Sequence, residues 1–503
     1  MATGAAAIPF PQEFRTCTVT GLRVHLAAEK LIVTNVVTAV LALTVGGLFA
    51  LLIALTRMPA VKLLDANLFY MALTGHGIFM LIVWMIFFEV GAMYFVSTVL
   101  LNARIFSKNL GWLAYLTMLL GAVLVAVTVL TQQANVTFTA YVPLMAHPVF
   151  YLGYIIFAVG ALLGVINFVM TLVQARLDGA LTGSLPLVTY GVTVAAILAV
   201  LAIISGVVAL VPAFLWSAGV FATAEPIVYR TWFWGLGHTL QYVNVTAMIA
   251  SWYALAALTM GASPINEKYT RVAFIIYLLV TVPVLGHHFL VDPTLTPAVK
   301  IFGGSIMGFI LGIPSLMHGL AVLGSMEIKV RREDRQVSLF GWLRKLPWGH
   351  PGMAALLVSM FLFGIGGFNG TVATTYQLNM VSHNNTWVPA HLHGTVVGGA
   401  TIAFMGLSYL VVPLMVRREL FSQGMARLQP YLYGLGLLVM ILSLNWAGFL
   451  DVPRRVPDIA YPGAPDWFLP MNIFGIGALV AITGGALFVI NMVLTLMAGK
   501  RFA

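Results

Sequence analysis

Twelve long apolar stretches dominate this sequence, and each is long enough to cross the hydrocarbon core of a membrane. A spanning helix needs about 20 mostly apolar residues to cover a core about 30 Å thick. Only 8% of the residues are charged, against roughly 25% in a soluble domain. The stretches are 31–56, 69–100, 110–131, 141–176, 185–212, 230–260, 270–291, 299–326, 351–371, 386–416, 430–449 and 468–499. The sequence therefore predicts an all-α membrane protein, a twelve-helix bundle that forms a single domain over 1–503.

Basic residues are distributed unevenly along this topology. Of the 25 lysines and arginines, we count 19 near the termini or in the connections that follow even-numbered helices. Connections rich in Lys and Arg remain on the cytoplasmic side of a membrane. Both termini are thus predicted to be cytoplasmic, in a bacterial or archaeal inner membrane, and the net charge of +10 requires no nucleic-acid partner. The longest charged stretch, 327–350, is predicted to be a cytoplasmic loop.

The cysteine content limits which metal sites the chain can contain. Cys17 is the single cysteine. One cysteine excludes disulfides within the chain, a CxxCH haem attachment, and thiolate copper or iron–sulfur sites. Any metal in this chain must therefore be held by histidine.

Six of the eleven histidines share one depth in the predicted bundle. Helices 2, 6 and 10 run from outside to inside and carry histidines near their starts, whereas helix 7 runs the other way and carries two near its end. These residues are His76, His238, His287, His288, His391 and His393. A single intramembrane histidine is more often a packing residue than a ligand. Six at the outer third of the membrane favour a metal or cofactor site, since such side chains are costly there.

The spacing of these histidines favours more than one centre. His287 and His288 point about 100° apart on a regular helix, yet both could reach one ion at a loosened helix end. With His238 they would form a three-histidine site of the kind that copper accepts. His391 and His393 point to opposite sides of helix 10, which suits two different haems.

Two further polar side chains lie within predicted helices. Tyr242 follows His238 by one helical turn, so its phenol is expected beside the proposed copper, although a core tyrosine is an equal alternative. Glu89, in the middle of helix 2, is the only carboxylate expected in the bilayer core. A proton relay and a glutamate hydrogen-bonded to its neighbours both remain open for Glu89.

Short motifs surround the histidines, and others lie elsewhere in the chain. They are Gly75-His76-Gly77, Gly237-His238 with Tyr242, Gly286-His287-His288 with Asp292-Pro293, Phe340-Gly341-Trp342, Leu346-Pro347-Trp348, Trp387-Val388-Pro389-Ala390-His391-Leu392-His393 and Val452-Pro453-Arg454-Arg455. Together they resemble subunit I of the haem–copper oxygen reductases, most closely the B-type branch. The resemblance covers almost the whole chain and implies that family's twelve-helix fold, two haems and one copper ion.

The resemblance also implies roles for individual residues near the haems. His76 and His393 would be the axial ligands of a low-spin haem, and His391 the axial ligand of a high-spin haem. Four residues at the outer surface are expected near the haem propionates: Arg454, Arg455, Trp387 and Asp292. Arginine forks match carboxylates, although a plain charge pair in a loop is the alternative for the two arginines.

At the copper site the resemblance implies a ligand set of His238, His287 and His288. Tyr242 would be the tyrosine that this family cross-links to a copper-ligand histidine.

The chain departs from the B-type pattern along its proton path. That pattern implies a line of hydroxyl groups on helices 6 and 8, of which Tyr253 and Ser315 are present. Ile249 and His318 stand where a tyrosine and a threonine are expected, so the proton route is predicted to be altered. Asn379 likewise stands where the pattern has an aspartate near the high-spin haem.

These features leave two enzymatic hypotheses and one other. A terminal oxidase reducing dioxygen to water is favoured by Tyr242, because a phenol can supply an electron together with its proton. A nitric oxide reductase forming nitrous oxide is favoured by the interruption at Ile249. A transporter or channel that uses histidines as a proton path is the non-enzymatic alternative.

The expected partners follow from what the chain lacks. It has no cysteine-based copper centre and no covalent haem. A separate subunit with a dinuclear copper or a c-type haem is therefore expected at the outer face, supplied by cytochrome c or a small copper protein. Membrane lipid is the other expected partner, and the haem type is not encoded by its ligands.

Overall fold

The computed structural model describes residues 11–293, 295–458 and 464–502. Within these ranges twelve helices are long and apolar enough to cross a membrane, and we number them α1 to α12. They are α1 Leu26–Arg57, α2 Ala66–Leu100, α3 Lys108–Leu130, α4 Pro148–Leu177, α5 Leu187–Ser217, α6 Pro226–Met260, α7 Glu267–Phe289, α8 Pro297–Glu333, α9 Pro351–Thr374, α10 Trp387–Val416, α11 Gln423–Phe449 and α12 Pro465–Ala498. Each helix overlaps one predicted stretch, so the predicted twelve-helix fold is confirmed.

Three predicted boundaries are wrong by about seven residues, one of them the start of α11, which begins at Gln423 rather than near residue 430. The charged stretch predicted as a loop over 327–350 is helical as far as Glu333. Ion pairs one turn apart, such as Glu327 with Arg331 at 2.7 Å, stabilise these added turns in water beyond the apolar part of α8. The remaining error is the start of α4, which begins at Pro148 rather than near residue 141. Proline suits the first turn of a helix because the amide hydrogen it lacks would be unpaired there.

The two ends of the described chain meet at one end of the bundle. Residues Phe14–Thr16 and Arg23–His25 form a small antiparallel hairpin, a feature that the all-α prediction did not include. Glu29, at the start of α1, pairs with Arg15 of this hairpin and with Arg417 at the end of α10. The next residue, Arg418, forms an isolated β-bridge with Arg501 near the C-terminus. A chain with an even number of spans must have both ends on the same side of the membrane, and these contacts agree with that.

The centre of the bundle consists of α10, α2 and α6. In their most apolar windows 89%, 78% and 72% of the residues are buried, whereas only 33% are buried in α7 and α8. The outer helices therefore turn much of their surface towards lipid. The three central helices are the ones that carry His76, His238, His391 and His393, so these histidines lie in the protein interior rather than at the lipid boundary.

Glycines allow α11 and α12 to approach closely. A Cβ atom added to Gly436 of α11 would lie 2.2 Å from the backbone nitrogen of Ala481 in α12. One added to Gly477 would lie 2.7 Å from the nitrogen of Met440. Small residues at such crossings let backbones pack together where the hydrophobic effect cannot drive helix association.

We expect Gly436→Ala to destabilise the α11–α12 contact by about 1–3 kcal/mol, because the added methyl group must push two backbones apart. Gly319→Ala on α8 is the matched control, since a Cβ there has no neighbour within 4 Å. The aggregation temperature of the detergent-solubilised protein should fall in the first variant only. Equal temperatures in the two variants would contradict the assigned contact.

Candidate metal centre

Three of the four helices that carry the six histidines, α2, α7 and α10, deviate from regular α-helical geometry near those residues. At the end of α7, Pro283 lies inside the helix and cannot donate a backbone hydrogen bond. The next segment, Leu285–Phe289, is a 3₁₀ turn that carries His287 and His288. In α10 a π-helical segment begins at His393 and runs to Thr401. Such irregular turns frequently occur at functional sites.

Three histidines from α6 and α7 form a cluster suited to a metal ion. One nitrogen from each of His238, His287 and His288 lies within 4.8 Å of the others. Nδ1 of His238 is 3.2 Å from Nε2 of His288. Metal–imidazole bonds are about 2.0–2.1 Å long, so nitrogens around one ion are about 3–4 Å apart. The arrangement fits one ion after only small adjustments.

Neighbouring groups fix the orientation of the cluster. The indole of Trp234 stacks on His288 with ring centroids 3.5 Å apart and planes 6° apart. The indole nitrogen donates to the hydroxyl of Tyr141, at 2.5 Å. Nδ1 of His287 donates to the carbonyl of Val284 at 2.8 Å. A hydrogen bond of this kind sets the tautomer, leaving Nε2 free to bind a metal.

A second pair of histidines lies between α2 and α10. The rings of His76 and His393 have centroids 6.2 Å apart and planes only 11° apart. Two imidazoles that bind one ion from opposite sides have ring centres about 6 Å apart, given the same bond lengths. Each Nδ1 donates to a backbone carbonyl, that of Gly46 at 3.1 Å and that of Pro389 at 2.8 Å. Both free Nε2 atoms can therefore serve as ligands.

His391 faces away from this pair. Its Nδ1 donates to the carbonyl of Gly366 in α9 at 2.7 Å. A Cβ atom added to Gly370, one turn further along α9, would lie 2.4 Å from the His391 ring. His391 is close enough to interact electrostatically with His238 and His287. The side chains of His391 and His393 therefore lie on different sides of α10.

A cavity of about 490 Å³ is lined by the His76–His393 pair and by two arginines. Its volume is in the range of small-molecule and cofactor sites. Arg454 and Arg455 line it, and neither has a carboxylate partner in the described part of the chain. Burial and the neighbouring Arg455 lower the pKa of Arg454 to about 9. Unpaired cations beside an apolar cavity and two free imidazoles fit a haem that carries propionates.

The other two residues predicted near propionates do not line this cavity. Asp292 is buried and pairs with Arg230 at 2.6 Å. Trp387 donates from its indole nitrogen to the carbonyl of Asn369 at 3.1 Å and packs edge-on against Phe449.

Several residues of this region were missed in the sequence. Arg230, Trp234 and Tyr141 contact the cluster or its neighbours, but no spacing rule connects them to it. His383 could have been found, since it follows Asn379 by one turn and its Nδ1 lies 3.0 Å from that amide oxygen. Burial and the nearby Arg454 lower the pKa of His383 to about 4, so the imidazole is neutral at physiological pH.

The two polar residues predicted from position have different surroundings. The ring centroid of Tyr242 is 5.0 Å from that of His238, so the two rings are in contact. Glu89 is buried, and its Oε1 has no hydrogen-bond partner in the described ranges. That oxygen therefore gives no support to the alternative in which Glu89 is hydrogen-bonded to its neighbours.

Comparison with known proteins decides the family. The family model for cytochrome c and quinol oxidase polypeptide I matches residues 30–481, which is most of the chain. The chain belongs to this family. As a cytochrome c and quinol oxidase polypeptide I, it is a multi-pass membrane oxidoreductase of the haem–copper superfamily, whose metals its histidine cluster fits.

Individual relatives of this polypeptide I support the assignment. Cytochrome c oxidase subunit 1 of Thermus thermophilus is 32% identical over 483 residues, covering 92% of this chain and 83% of the relative. Cytochrome c oxidase subunit 1 of Thermostichus vulcanus is 24% identical and covers the same shares, 92% and 83%. A haem–copper terminal oxidase dimer solved by cryo-electron microscopy matches with a TM-score of 0.90 and 26% identity, covering 94% of this chain and 85% of that chain.

The contact with Gly370 leads to a test of the His391 orientation. In Gly370→Ala the new methyl group would overlap the His391 ring, so the ring must shift and the absorption spectrum of the bound haem should change. Gly367→Ala, three residues earlier, is the matched control because a Cβ there has no neighbour within 4 Å. Identical spectra in both variants, with the His391 ring in place by cryo-electron microscopy, would refute the contact.

Proposed function

We propose that this polypeptide I is the catalytic chain of a terminal oxidase that reduces dioxygen to water. The observation that carries the proposal is the Tyr242 ring in contact with His238, one member of the three-histidine cluster. Full reduction of dioxygen takes four electrons and four protons. A phenol at the cluster can give up an electron together with its proton, which a centre limited to metal ions cannot do.

Two haems are assigned to the histidines outside the cluster. His76 and His393 would hold a low-spin haem between them, and His391 a high-spin haem on the other side of α10. The opposed rings 6.2 Å apart support the first assignment. Arg454 and Arg455 would bind the propionates, which would also raise the pKa of Arg454 again towards its ordinary value.

Copper is assigned to His238, His287 and His288. When bound, the haems and copper supply electron transfer and the site at which the substrate is bound and reduced. The residues of the chain orient that site: Trp234 holds the plane of His288, and the carbonyl of Val284 holds the tautomer of His287. Nε2 of His238 is buried without a hydrogen-bond partner among the described residues. This nitrogen is therefore free to interact with the neighbouring Tyr242.

Nitric oxide reduction to nitrous oxide is the second candidate. It is favoured by Ile249, which is fully buried in α6 where a hydroxyl group would continue a proton path. Joining two nitric oxide molecules consumes two electrons and two protons, so it needs fewer protons than dioxygen reduction. The phenol of Tyr242 favours dioxygen over this alternative.

Electrons are proposed to enter at the end of the bundle that holds the histidines. We assign this end to the outside of a bacterial or archaeal inner membrane and both termini to the cytoplasm, from the distribution of Lys and Arg. A separate subunit with a dinuclear copper or a c-type haem would deliver the electrons, taking them from cytochrome c or a small copper protein. Cys17 cannot receive these electrons, because it lies at the opposite end of the bundle from the histidines. It directly follows the hairpin strand whose Arg15 pairs with Glu29.

The ligand assignments predict separable losses of cofactor. We expect His76→Ala to remove the low-spin haem spectrum with copper retained, because the iron would keep one axial ligand. We expect His287→Ala to remove copper with both haems retained. Pyridine haemochrome spectra and copper analysis of the purified protein measure both. Full copper content in His287→Ala, or an unchanged low-spin spectrum in His76→Ala, would refute the corresponding assignment.

Tyr242→Phe distinguishes the two proposed substrates. The change removes one hydroxyl group and preserves ring volume, so both haems should remain while dioxygen consumption falls by about 10²-fold or more. Tyr94→Phe, a fully buried tyrosine of α2, is the control and should keep its activity. If the parent barely consumes dioxygen but turns over nitric oxide, and Tyr242→Phe does likewise, the oxidase proposal fails and the reductase takes its place.

A further inference from the structure

The proposed reaction consumes protons at a site enclosed by apolar helices. Reducing one dioxygen molecule to two waters takes four electrons and four protons, and forming nitrous oxide and water from two nitric oxide molecules takes two of each. Protons cross protein along hydrogen-bonded groups, so a line of such groups must reach the three-histidine cluster. The inference about this line rests on the proposed function.

Helix α6 carries part of such a line but interrupts it. Tyr242, Thr246, Ile249 and Tyr253 follow each other at steps of four, three and four residues, so they lie on one face of the helix. From Tyr242 to Tyr253 this face covers about 16 Å at 1.5 Å per residue. Ile249 is fully buried and offers no hydrogen-bonding atom. Protons cannot pass along α6 alone.

The lower end of the line continues onto α8. The hydroxyl of Tyr253 lies 3.1 Å from Nδ1 of His318, and both residues are buried. The other ring nitrogen of His318, Nε2, is buried and has no hydrogen-bond partner among the described residues. An imidazole in this setting can accept a proton at one nitrogen and release one from the other.

The next group along α8 is Ser315. It precedes His318 by three residues, a spacing that places side chains next to each other on a helix. Its hydroxyl lies 2.7 Å from the hydroxyl of Tyr277 in α7. The Tyr277 ring is parallel to that of His318, with planes 7° apart and centroids 6.1 Å apart. No direct hydrogen bond joins His318 to this hydroxyl pair among the described residues, so the inferred line requires a bridging water between them.

Tyr277 also lies beside the tyrosine that contacts the cluster. It is fully buried, and its ring centroid lies 5.7 Å from that of Tyr242. Tyr277 therefore supplies, from α7, a phenol between Tyr242 and His318. Its two ring neighbours in this region are Tyr242, which contacts the cluster, and the imidazole of His318.

We infer that Tyr277 and His318 carry protons from Tyr253 to Tyr242 and bypass Ile249. A proton passed from Tyr253 enters His318 at Nδ1, another leaves from Nε2, and the hydroxyls of Ser315 and Tyr277 each accept one proton while releasing their own. No electron moves in these steps. The break at Ile249 is then a change of helix rather than the loss of the route, which removes the main argument for nitric oxide.

A purely structural role for these residues makes a different prediction. If Tyr277 and Ser315 only satisfied each other's hydrogen bonds, removing one hydroxyl would lower stability slightly and leave proton movement unchanged. The experiment must therefore measure proton movement as well as turnover.

Tyr277→Phe tests the inference in the purified, metal-loaded protein. We expect turnover with the better of the two substrates to fall about 10²-fold, with haem spectra and copper content unchanged. Independently of turnover, the protein is reduced electrochemically under argon with a pH indicator present. Proton uptake that accompanies reduction should be slowed by a similar factor. Ser315→Ala removes the partner hydroxyl and should slow the same uptake, which keeps the test valid if Tyr277→Phe fails to bind its cofactors.

Tyr409→Phe is the matched control, because Tyr409 is a buried tyrosine of α10 whose hydroxyl donates to Gln429 at 3.2 Å, away from the line. It should take up protons as the parent does. Parent-like uptake in both Tyr277→Phe and Ser315→Ala would overturn the inference. A parent that turns over neither dioxygen nor nitric oxide would instead refute the proposed function, and the uptake measurement would still decide the path.

Discussion

The cost of placing imidazoles inside a membrane governs this structure. An imidazole always has one nitrogen that donates and one that accepts when it is neutral, and the bilayer core supplies no water to satisfy them. In four of the six histidines the donor is directed to a backbone carbonyl. A carbonyl is available for this only where another helix lies very close or where the local helix has loosened. The glycines around these histidines, the 3₁₀ turn of α7 and the π-helical turn of α10 all meet that requirement.

Much of this could be predicted from the sequence, for a physical reason. A bilayer imposes one length on every span, so the number of helices follows from hydropathy alone. Topology then gives each residue a depth, and His238, His287 and His288 could be expected at one level before any contact was known. The end of α8 was missed because hydropathy falls where a helix leaves the membrane, whereas its hydrogen bonds continue into water.

Contacts between helices could not be predicted in this way. Tyr277 is one tyrosine among seventeen and stands in an ordinary apolar segment. Its importance depends on the rotation of α7 relative to α6 and α8, which no spacing within one helix records. The same holds for Trp234, whose stacking on His288 joins two helices. His383 is the exception, because its partner Asn379 lies one turn away on the same segment.

The stacking of Trp234 on His288 also connects the metal centre to the surface. Trp234 donates to Tyr141, and Tyr141 belongs to the connection between α3 and α4, in which Leu144 and Met145 are each 52% exposed. One hydrogen bond and one ring stack therefore separate an exposed connection from the imidazole that would bind copper.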